Sequence, residues 1–422
     1  KLSEYSRNDR ITENTVINKS LKSADEGEPM KGTGIRVVHA ADFHLGAPFT
    51  SLSHEAASIR RAEQEQTFLN VISFCETEST DVLLLAGDIF DAIRISPATE
   101  RLIRAAFSRI SNTRIFISPG NHDPYAGTAL YDAISDFSHV RVFEDAIQPY
   151  CLNDLDCVVW GAGFRSARQS KSLIPEGFNV SSLSGCSADT VHLMVMHGEV
   201  IRGSDAKSQY NPIPESRLAE CGANYVALGH VHDATPLQRA GNTFWAYAGC
   251  PEPRGFDELG PRGFYHGTIN QDSTDLTYRA INRRTYHRLD VDVSGIGIQD
   301  DLKHRLMDTI KRECPEKYAD DAFRLTMIGR IPGDFSPEMT TLKRYLEKYV
   351  FAAKILDDTI ADIHPDDVAG ETSLRGAFTR HMKKRIVDAE LADDDAQMSV
   401  AERALSLGLK AFEGEVRYRE DS

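Results

Sequence analysis

Seven side chains of metal-binding types stand in short polar clusters, each of which follows an apolar run. They comprise two carboxylates, one amide and four imidazoles: Asp42, His44, Asp88, Asn121, His197, His230 and His232. A mixed set of oxygen and nitrogen ligands suits Mn²⁺, Fe or Zn²⁺ better than Ca²⁺. Seven ligands are more than one ion needs, whereas two ions that share one carboxylate would use them all.

A pair of divalent ions indicates hydrolysis of a phosphate ester. Ions roughly 3.5–4 Å apart polarise the P–O bonds and hold the attacking and leaving oxygens in line. The chain has 48 basic and 63 acidic residues, a net charge of −15, which argues against a non-specific polyanion binder. Bound cations would offset that negative charge where a phosphate has to enter.

The apolar runs that precede the clusters predict buried strands, which begin at Ile35, Asp81, Arg114, His192 and Tyr225. Helical spacing over 55–76, and the Ser-Pro pair at 96–97, predict helices between the first three strands. Strands dominate further along the chain, so we expect a layered α/β domain over 35–280. In open α/β sheets, sites form at the carboxyl ends of the strands.

The 422 residues are enough for two to three domains. Residues 1–34 are polar and without periodicity, so we expect a flexible extension there, with the membership of 1–29 in the folded protein left open. Residues 281–365 alternate strand and helix patterns and predict a small α+β domain. Residues 366–422 predict a helical segment.

The C-terminal segment carries two helix signals. One is an apolar stripe at i, i+4 spacing, formed by Leu374, Phe378, Met382 and Ile386. The other is a capping box, Ser399 with Glu402, which predicts that a helix starts at Ser399.

The composition excludes several protein classes. With 41% hydrophobic and 26% charged residues the chain is globular rather than disordered. It has no apolar run of about 18 residues, so we expect no membrane span. Its seven cysteines lack a close C-x-x-C pair, which favours neither a disulfide framework nor a zinc ribbon, and a reducing cytoplasm is expected.

The polar clusters form five blocks along the chain. In sequence order they are D-x-H at 42–44, G-D at 87–88, G-N-H-D at 120–123, His197 and G-H-x-H at 229–232. This pattern resembles the calcineurin-like metallophosphoesterase superfamily. The resemblance implies a layered sandwich of sheets flanked by helices, followed by a small α+β capping domain over 281–365.

The resemblance also implies roles for individual residues. One ion would be held by Asp42, His44, Asp88 and His232, and the other by Asp88, Asn121, His197 and His230. Asp88 would bridge two divalent ions, with Mn²⁺ expected and Fe, Zn²⁺ or Mg²⁺ as alternatives. His122 would be the catalytic imidazole, and Asp91 would pair with it.

Within the superfamily, the chain resembles the bacterial SbcD/YhaO-type DNA repair exonucleases most. The arginines of the phosphatase patterns G-D-x-x-D-R-G and G-N-H-E-x-R are absent, whereas the loop over 249–258 fits the exonuclease type. This implies a metal-dependent DNA exonuclease or endonuclease with a two-metal mechanism, acting in DNA repair. Helices over 55–76 and 97–110 are candidates for homodimer formation.

The resemblance further implies an SbcC-like coiled-coil ATPase as partner. The helical segment at 366–422 is the candidate docking element, and the alternative is that its stripe packs against its own domain. Candidate contacts to DNA phosphates are Arg254, Arg283 and Arg284, although a solvated linker is the competing interpretation of the basic cluster at 279–288. A small-molecule phosphodiesterase or nucleotidase, and a non-catalytic ATPase scaffold, remain alternative functions.

Overall fold

Short apolar runs form two six-stranded sheets in the first part of the chain. The computed structural model describes residues 34–50, 52–126, 131, 134–182, 186–187, 189–203, 208–333, 335–362, 368 and 370–412. Apart from Gly34, the extension predicted over 1–34 lies outside the described residues.

The first sheet has a parallel centre and an antiparallel edge, in the order β14-β13-β1-β2-β3-β4. Its strands are β1 (Ile35–Ala40), β2 (Val82–Leu85), β3 (Arg114–Ile117), β4 (Val140–Val142), β13 (Gly263–Ile269) and β14 (Thr274–Ala280). Strands β1 to β4 run parallel, so the chain segments that follow β1, β2 and β3 leave the sheet at the same edge.

The second sheet has the order β11-β12-β10-β7-β6-β5, with antiparallel strands only at its two edges. Its strands are β5 (Gln148–Leu152), β6 (Cys157–Ala162), β7 (Val191–His197), β10 (Tyr225–Gly229), β11 (Gln238–Ala240) and β12 (Thr243–Tyr247). The short strands β8 (Glu199–Ile201) and β9 (Pro212–Pro214) pair with each other beside it.

The two sheets face each other, and helices cover the outer faces. Val37 and Leu84 of the first sheet share a buried cluster with Val159, Leu193 and Ala227 of the second. Helices α1 (His54–Thr77) and α2 (Pro97–Arg109) pack on the outer side of the first sheet, and α3 (Glu215–Glu220) on that of the second. The layered sandwich predicted from the sequence is confirmed.

The predicted start of α2 is also confirmed at atomic level. Pro97 is its first residue, and the Ser96 hydroxyl accepts a hydrogen bond from the Thr99 N–H at 3.1 Å. Proline lacks the N–H that the first helical turn leaves unpaired, and the serine satisfies one that remains.

The chain divides into two compact units, Lys1–Thr285 and Tyr286–Ser422. The second contains a parallel sheet of β15 (Tyr286–Asp292), β16 (Ala322–Ile328) and β18 (Ala352–Asp357), with helices α4 (Gln299–Glu313) and α5 (Met339–Leu346). The sequence pattern over 323–331 predicts one continuous strand, and this prediction is wrong. Gly329, at φ +102°, breaks it into β16 and β17 (Arg330–Pro332), which pairs with β19 (Ile360–Asp362) instead.

The C-terminal segment forms α6 (Leu374–Leu391) and α7 (Asp395–Phe412). The predicted helix start at Ser399 is wrong, because Asp394 caps the helix earlier by accepting a hydrogen bond from the Gln397 N–H at 3.0 Å. Phe378, Met382 and Ile386 of the stripe pack in one apolar cluster with α7, whereas Leu374 is 75% exposed. Among the described residues, no helix combines the length and apolarity that a membrane span requires.

Candidate metal centre

The seven predicted ligands lie together, at the carboxyl ends of parallel strands from both sheets. His44 Nε2, after β1, lies 3.2 Å from His232 Nε2, after β10. Asn121 Oδ1, after β3, lies 3.0 Å from Nε2 of His197, the last residue of β7. Both pairs join one sheet to the other, so the site exists only when the sandwich is assembled.

The carboxylates occupy the middle of this arrangement. Asp42, His44 and His232 have ligand atoms within 4.8 Å of one another, and so do Asp42, Asp88 and His197. Asp88 belongs to a further group with His44 and His122. Asp42 and Asp88 each lie in two such groups, so both carboxylates occupy positions that a ligand shared by two ions could take.

His230 is brought to the same place through its backbone and its ring. Its N–H donates to both carboxylate oxygens of Asp42 at 3.1 Å, and its ring centroid lies 5.2 Å from that of His197. All seven predicted ligands are therefore neighbours, and four of them have a left-handed backbone: Asp42 (φ 52°), His44 (φ 47°), Asp88 (φ 48°) and His230 (φ 102°). Such non-glycine conformations cost about 1–3 kcal/mol each and concentrate at functional sites.

Asp123 fixes the two loops that carry Asp88 and Asn121. Its buried carboxylate accepts hydrogen bonds from the N–H groups of Asp88 (3.2 Å), Ile89 (2.7 Å) and Gly120 (2.8 Å). No role for Asp123 was predicted from the sequence, although it closes the G-N-H-D block. The position of this aspartate within the block is a local signal, because a carboxylate at this spacing can accept hydrogen bonds from the N–H groups of its own loop.

The electrostatics of the centre favour cations. Burial, with repulsion from Asp88, raises the pKa of Asp42 to about 8, and burial raises that of Asp88 to about 6. Burial lowers the pKa of His197 to about 3 and that of His230 to about 4. The imidazoles of His197 and His230 are therefore neutral and offer lone pairs, while the carboxylates lack sufficient positive charge from the protein. Divalent cations are the charge that this donor set fits.

The outer ring nitrogens of three histidines are held by oxygen acceptors. Nδ1 of His44 lies 3.0 Å from Asp91 Oδ1, Nδ1 of His197 lies 2.9 Å from the Ala86 carbonyl, and Nδ1 of His232 lies 2.7 Å from Glu258 Oε1. These contacts leave each Nε2 directed at the centre. Partners of this kind orient metal-binding imidazoles and strengthen them as ligands.

Glu258, in the loop over 249–258, supports the site although no role for it was predicted from the sequence. Burial opposes the charged form of Glu258, but its contacts with His232 and Arg254 outweigh this and hold its pKa well below the usual range. Burial likewise opposes a charged His232, yet the hydrogen bond to Glu258 raises the pKa of His232. Glu258 is thus an ionised carboxylate that fixes one predicted ligand.

His122 lies at the rim of the centre, with 40% of its side chain exposed. Its Nδ1 is 3.4 Å from the Asp91 carbonyl and 3.6 Å from Asp91 Oδ1. Asp91 therefore lies closer to the ring of His44 than to that of His122. Its pairing with His122 stays a prediction.

The three predicted phosphate-binding arginines occupy different places. Arg254 lies at the centre, where Nη1 donates to Asp91 at 3.1 Å and Nη2 to Glu258 at 3.3 Å. Arg284 is 8% exposed and pairs with Glu63 at 2.7 Å. Arg283 lies beside it, with its N–H donating to Glu252 at 2.7 Å. The substrate roles of all three stay predictions, and that of Arg284 competes with an ion pair.

Replacing Glu258 with Gln should weaken divalent-metal binding about 10- to 100-fold, because the loss of an outer carboxylate loosens a metal-binding histidine. Equilibrium binding of Mn²⁺ to the purified variant measures this. Asp257→Asn removes the same charge from an exposed neighbour in the loop and should bind Mn²⁺ like the wild type. Equal affinity of Glu258→Gln and wild type would show that Glu258 does not act through His232.

The same region matches a known family. Residues 35–234 match the model described as calcineurin-like phosphoesterase. The chain is 25% identical over 323 residues to the uncharacterized metallophosphoesterase YhaO of Bacillus subtilis, covering 71% of this chain and 73% of YhaO. It is 24% identical to the SbcD component of the nuclease SbcCD of Escherichia coli (55% and 64% covered) and to the DNA double-strand break repair protein Mre11 of Aeropyrum pernix (62% and 64% covered). The match thus spans less than two thirds of the last two proteins.

Proposed function

Residues 35–234 are a calcineurin-like phosphoesterase domain, and on that premise we propose that this protein is a metal-dependent DNA nuclease. The observation that carries the proposal is the convergence of seven predicted ligand side chains around Asp42 and Asp88, each of which lies in two ligand groups. The domain supports phosphoester hydrolysis in general. Support for DNA as the substrate comes from relatives named as a nuclease component and a DNA repair protein.

In this proposal, one divalent ion would be held by Asp42, His44, Asp88 and His232, and the other by Asp88, Asn121, His197 and His230. Two such ions would polarise the scissile phosphate and offset its charge. The exposed ring of His122 is positioned at the rim to orient the phosphate or to give a proton to the leaving oxygen. Arg254 keeps Asp91 and Glu258 in place behind the ligands.

Hydrolysis of end-labelled DNA compared with bis(p-nitrophenyl) phosphate tests the substrate class, with Mn²⁺ as the first ion to supply. We expect faster turnover on DNA at equal substrate concentration. Hydrolysis of the small diester alone would favour a small-molecule phosphodiesterase. No hydrolysis of either by protein that binds two ions would favour the scaffold interpretation.

We further propose that the protein acts with an SbcC-like ATPase, and that α6 and α7 provide the docking surface. Their outward side chains include exposed apolar residues: Leu374 (75%), Val387 (49%), Leu391 (82%), Val400 (65%) and Leu407 (52%). A homodimer formed through α1 and α2 belongs to the same proposal.

Deleting residues 371–422 should leave the Mn²⁺-dependent hydrolysis unchanged and abolish capture of a co-expressed ATPase of this type. The first result is expected because the metal centre lies wholly in the other compact unit. The deletion also removes contacts of α7 with β19, such as the Ser406 hydroxyl that accepts from the Ala361 N–H at 3.2 Å. Substitution of Leu391 and Leu407 by Ser keeps those contacts and should give the same loss of capture; retained capture in both variants would place the docking surface elsewhere.

A further inference from the structure

A cysteine, a histidine and an aspartate form a hydrogen-bonded chain in the second compact unit, far along the sequence from the metal centre. The Cys314 thiol lies 3.4 Å from Nδ1 of His287, and Nε2 of the same ring lies 2.9 Å from Asp321 Oδ2. The three residues come from separate segments: the end of α4, strand β15 and the turn before β16. The sequence analysis assigned no role to any of them.

The imidazole is held in one orientation. Its ring stacks on buried Phe323, with centroids 4.8 Å apart and an angle of 14° between the planes. Asp321 is only 4% exposed, so its carboxylate accepts from the ring with little competition from water. A nucleophile in reach of a base, which a third group orients, is the arrangement that activates thiols in enzymes.

The geometry differs from that of a metal site. The thiol and the carboxylate contact opposite nitrogens of one ring, so His287 lies between them. Ligands of a single ion would have to direct their donor atoms at one point, with the ring nitrogen among them. The arrangement therefore suits proton transfer from sulfur to imidazole.

Charge supports the same direction of transfer. Burial opposes a charged His287, but the hydrogen bonds to Asp321 and Cys314 outweigh it and raise the pKa of His287 to about 9. The titratable side chains recorded against the ring are Cys314 and Asp321, and its third contact, Phe323, is apolar. A cationic imidazole beside sulfur stabilises the thiolate, which is the reactive form of cysteine.

We propose that Cys314 is an activated thiol and a site of reversible modification by low-molecular-weight disulfides. In the reactive state the shared proton lies on His287 Nδ1, and the thiolate of Cys314 attacks one sulfur of the disulfide. A new S–S bond to Cys314 forms as the old S–S bond breaks, and the leaving thiolate takes up a proton. No further oxidant is consumed, and the inference does not depend on the nuclease proposal.

The chain supplies its own controls. Cys151 is more exposed than Cys314, Cys186 is partly exposed as Cys314 is, and Cys75, Cys157, Cys221 and Cys250 are buried. If exposure alone set the rate of mixed-disulfide formation, Cys151 would react fastest. If His287 activates the thiol, Cys314 would react fastest.

The experiment exposes the full-length protein to glutathione disulfide and quantifies the mixed disulfide at each cysteine by peptide mass spectrometry over time. Near pH 7 a free cysteine is only a few per cent thiolate, so we expect Cys314 to react about tenfold faster than Cys151. His287→Gln should bring the rate at Cys314 down to that of Cys151. Raising the pH to about 9 should narrow the gap between wild type and His287→Gln, because bulk base then deprotonates the thiol.

Two results would overturn the proposal: a rate at Cys314 no higher than at Cys151 and Cys186, or an unchanged rate in His287→Gln. Unreactive buried cysteines report that a variant is folded. Asp321→Asn, which keeps the ring on Phe323, is the second variant in case His287→Gln fails this criterion. Asp321→Asn should lower the rate of mixed-disulfide formation at Cys314 and leave the rate at Cys151 unchanged. An unchanged rate at Cys314 would contradict activation of this thiol by His287.

Discussion

Replacing Asp88 with Ala should remove both metal binding and phosphodiesterase activity. Asp88 is 1% exposed, lies in two of the ligand groups, and accepts a hydrogen bond from the His122 N–H at 2.9 Å. Its loss would take one ligand from each proposed ion at once and leave Asp42 as the one carboxylate among the predicted ligands. Metal ions contribute several kcal/mol of transition-state stabilisation, so we expect activity to fall by at least about a thousandfold.

Metal analysis of the purified Asp88→Ala protein, together with a Mn²⁺-dependent assay, measures both losses. Asp154→Ala is the matched control, because Asp154 is 57% exposed and pairs with Arg114 on the surface. It should keep wild-type metal content and activity. An Asp88→Ala protein that loses activity but keeps two ions per chain would show that Asp88 does not bridge them.

Replacing His122 with Asn should lower turnover about 100- to 10,000-fold, the usual contribution of a general acid or base, without changing metal content. His122 lies at the rim with its ring partly exposed, whereas the predicted ligand His44 is completely buried. Steady-state kinetics on labelled DNA should show the loss in kcat rather than in KM, because the ring acts on the leaving oxygen.

Metal content distinguishes the two possible roles of His122. A variant that retains its ions and loses turnover supports the catalytic role. Loss of ions with the substitution would instead make His122 a ligand, which its grouping with His44 and Asp88 makes geometrically possible. His139→Asn is a control at another histidine that bonds a backbone carbonyl and is expected to be neutral for activity.

That the seven predicted ligands lie together could be expected from the sequence, because their positions depend on backbone direction. Asp42, Asp88 and Asn121 each follow a strand of one parallel sheet, and His197 and His230 end or follow strands of the other. Parallel strands bring their carboxyl ends to one edge whatever their side chains are. The apolar runs, together with the polar residues that follow them, therefore predict which side chains become neighbours at this edge.

The supporting contacts were not predictable, because they depend on side-chain reach across the fold. Glu258 meets His232 from 26 positions away, and Arg284 meets Glu63 from 221 positions away. Nothing in local periodicity specifies such pairs. The first residue of α7 was predicted wrongly for a local reason. Asp394 and Ser399 are both residue types that cap helices, and the earlier of the two caps α7.

Anomalous diffraction from crystals of the full chain grown with Mn²⁺ would test the metal centre most directly. We expect two peaks roughly 3.5–4 Å apart, both in contact with Asp88 and otherwise divided between the two predicted ligand sets. A single peak, or peaks that leave out Asn121 and His230, would contradict a two-metal centre in this protein.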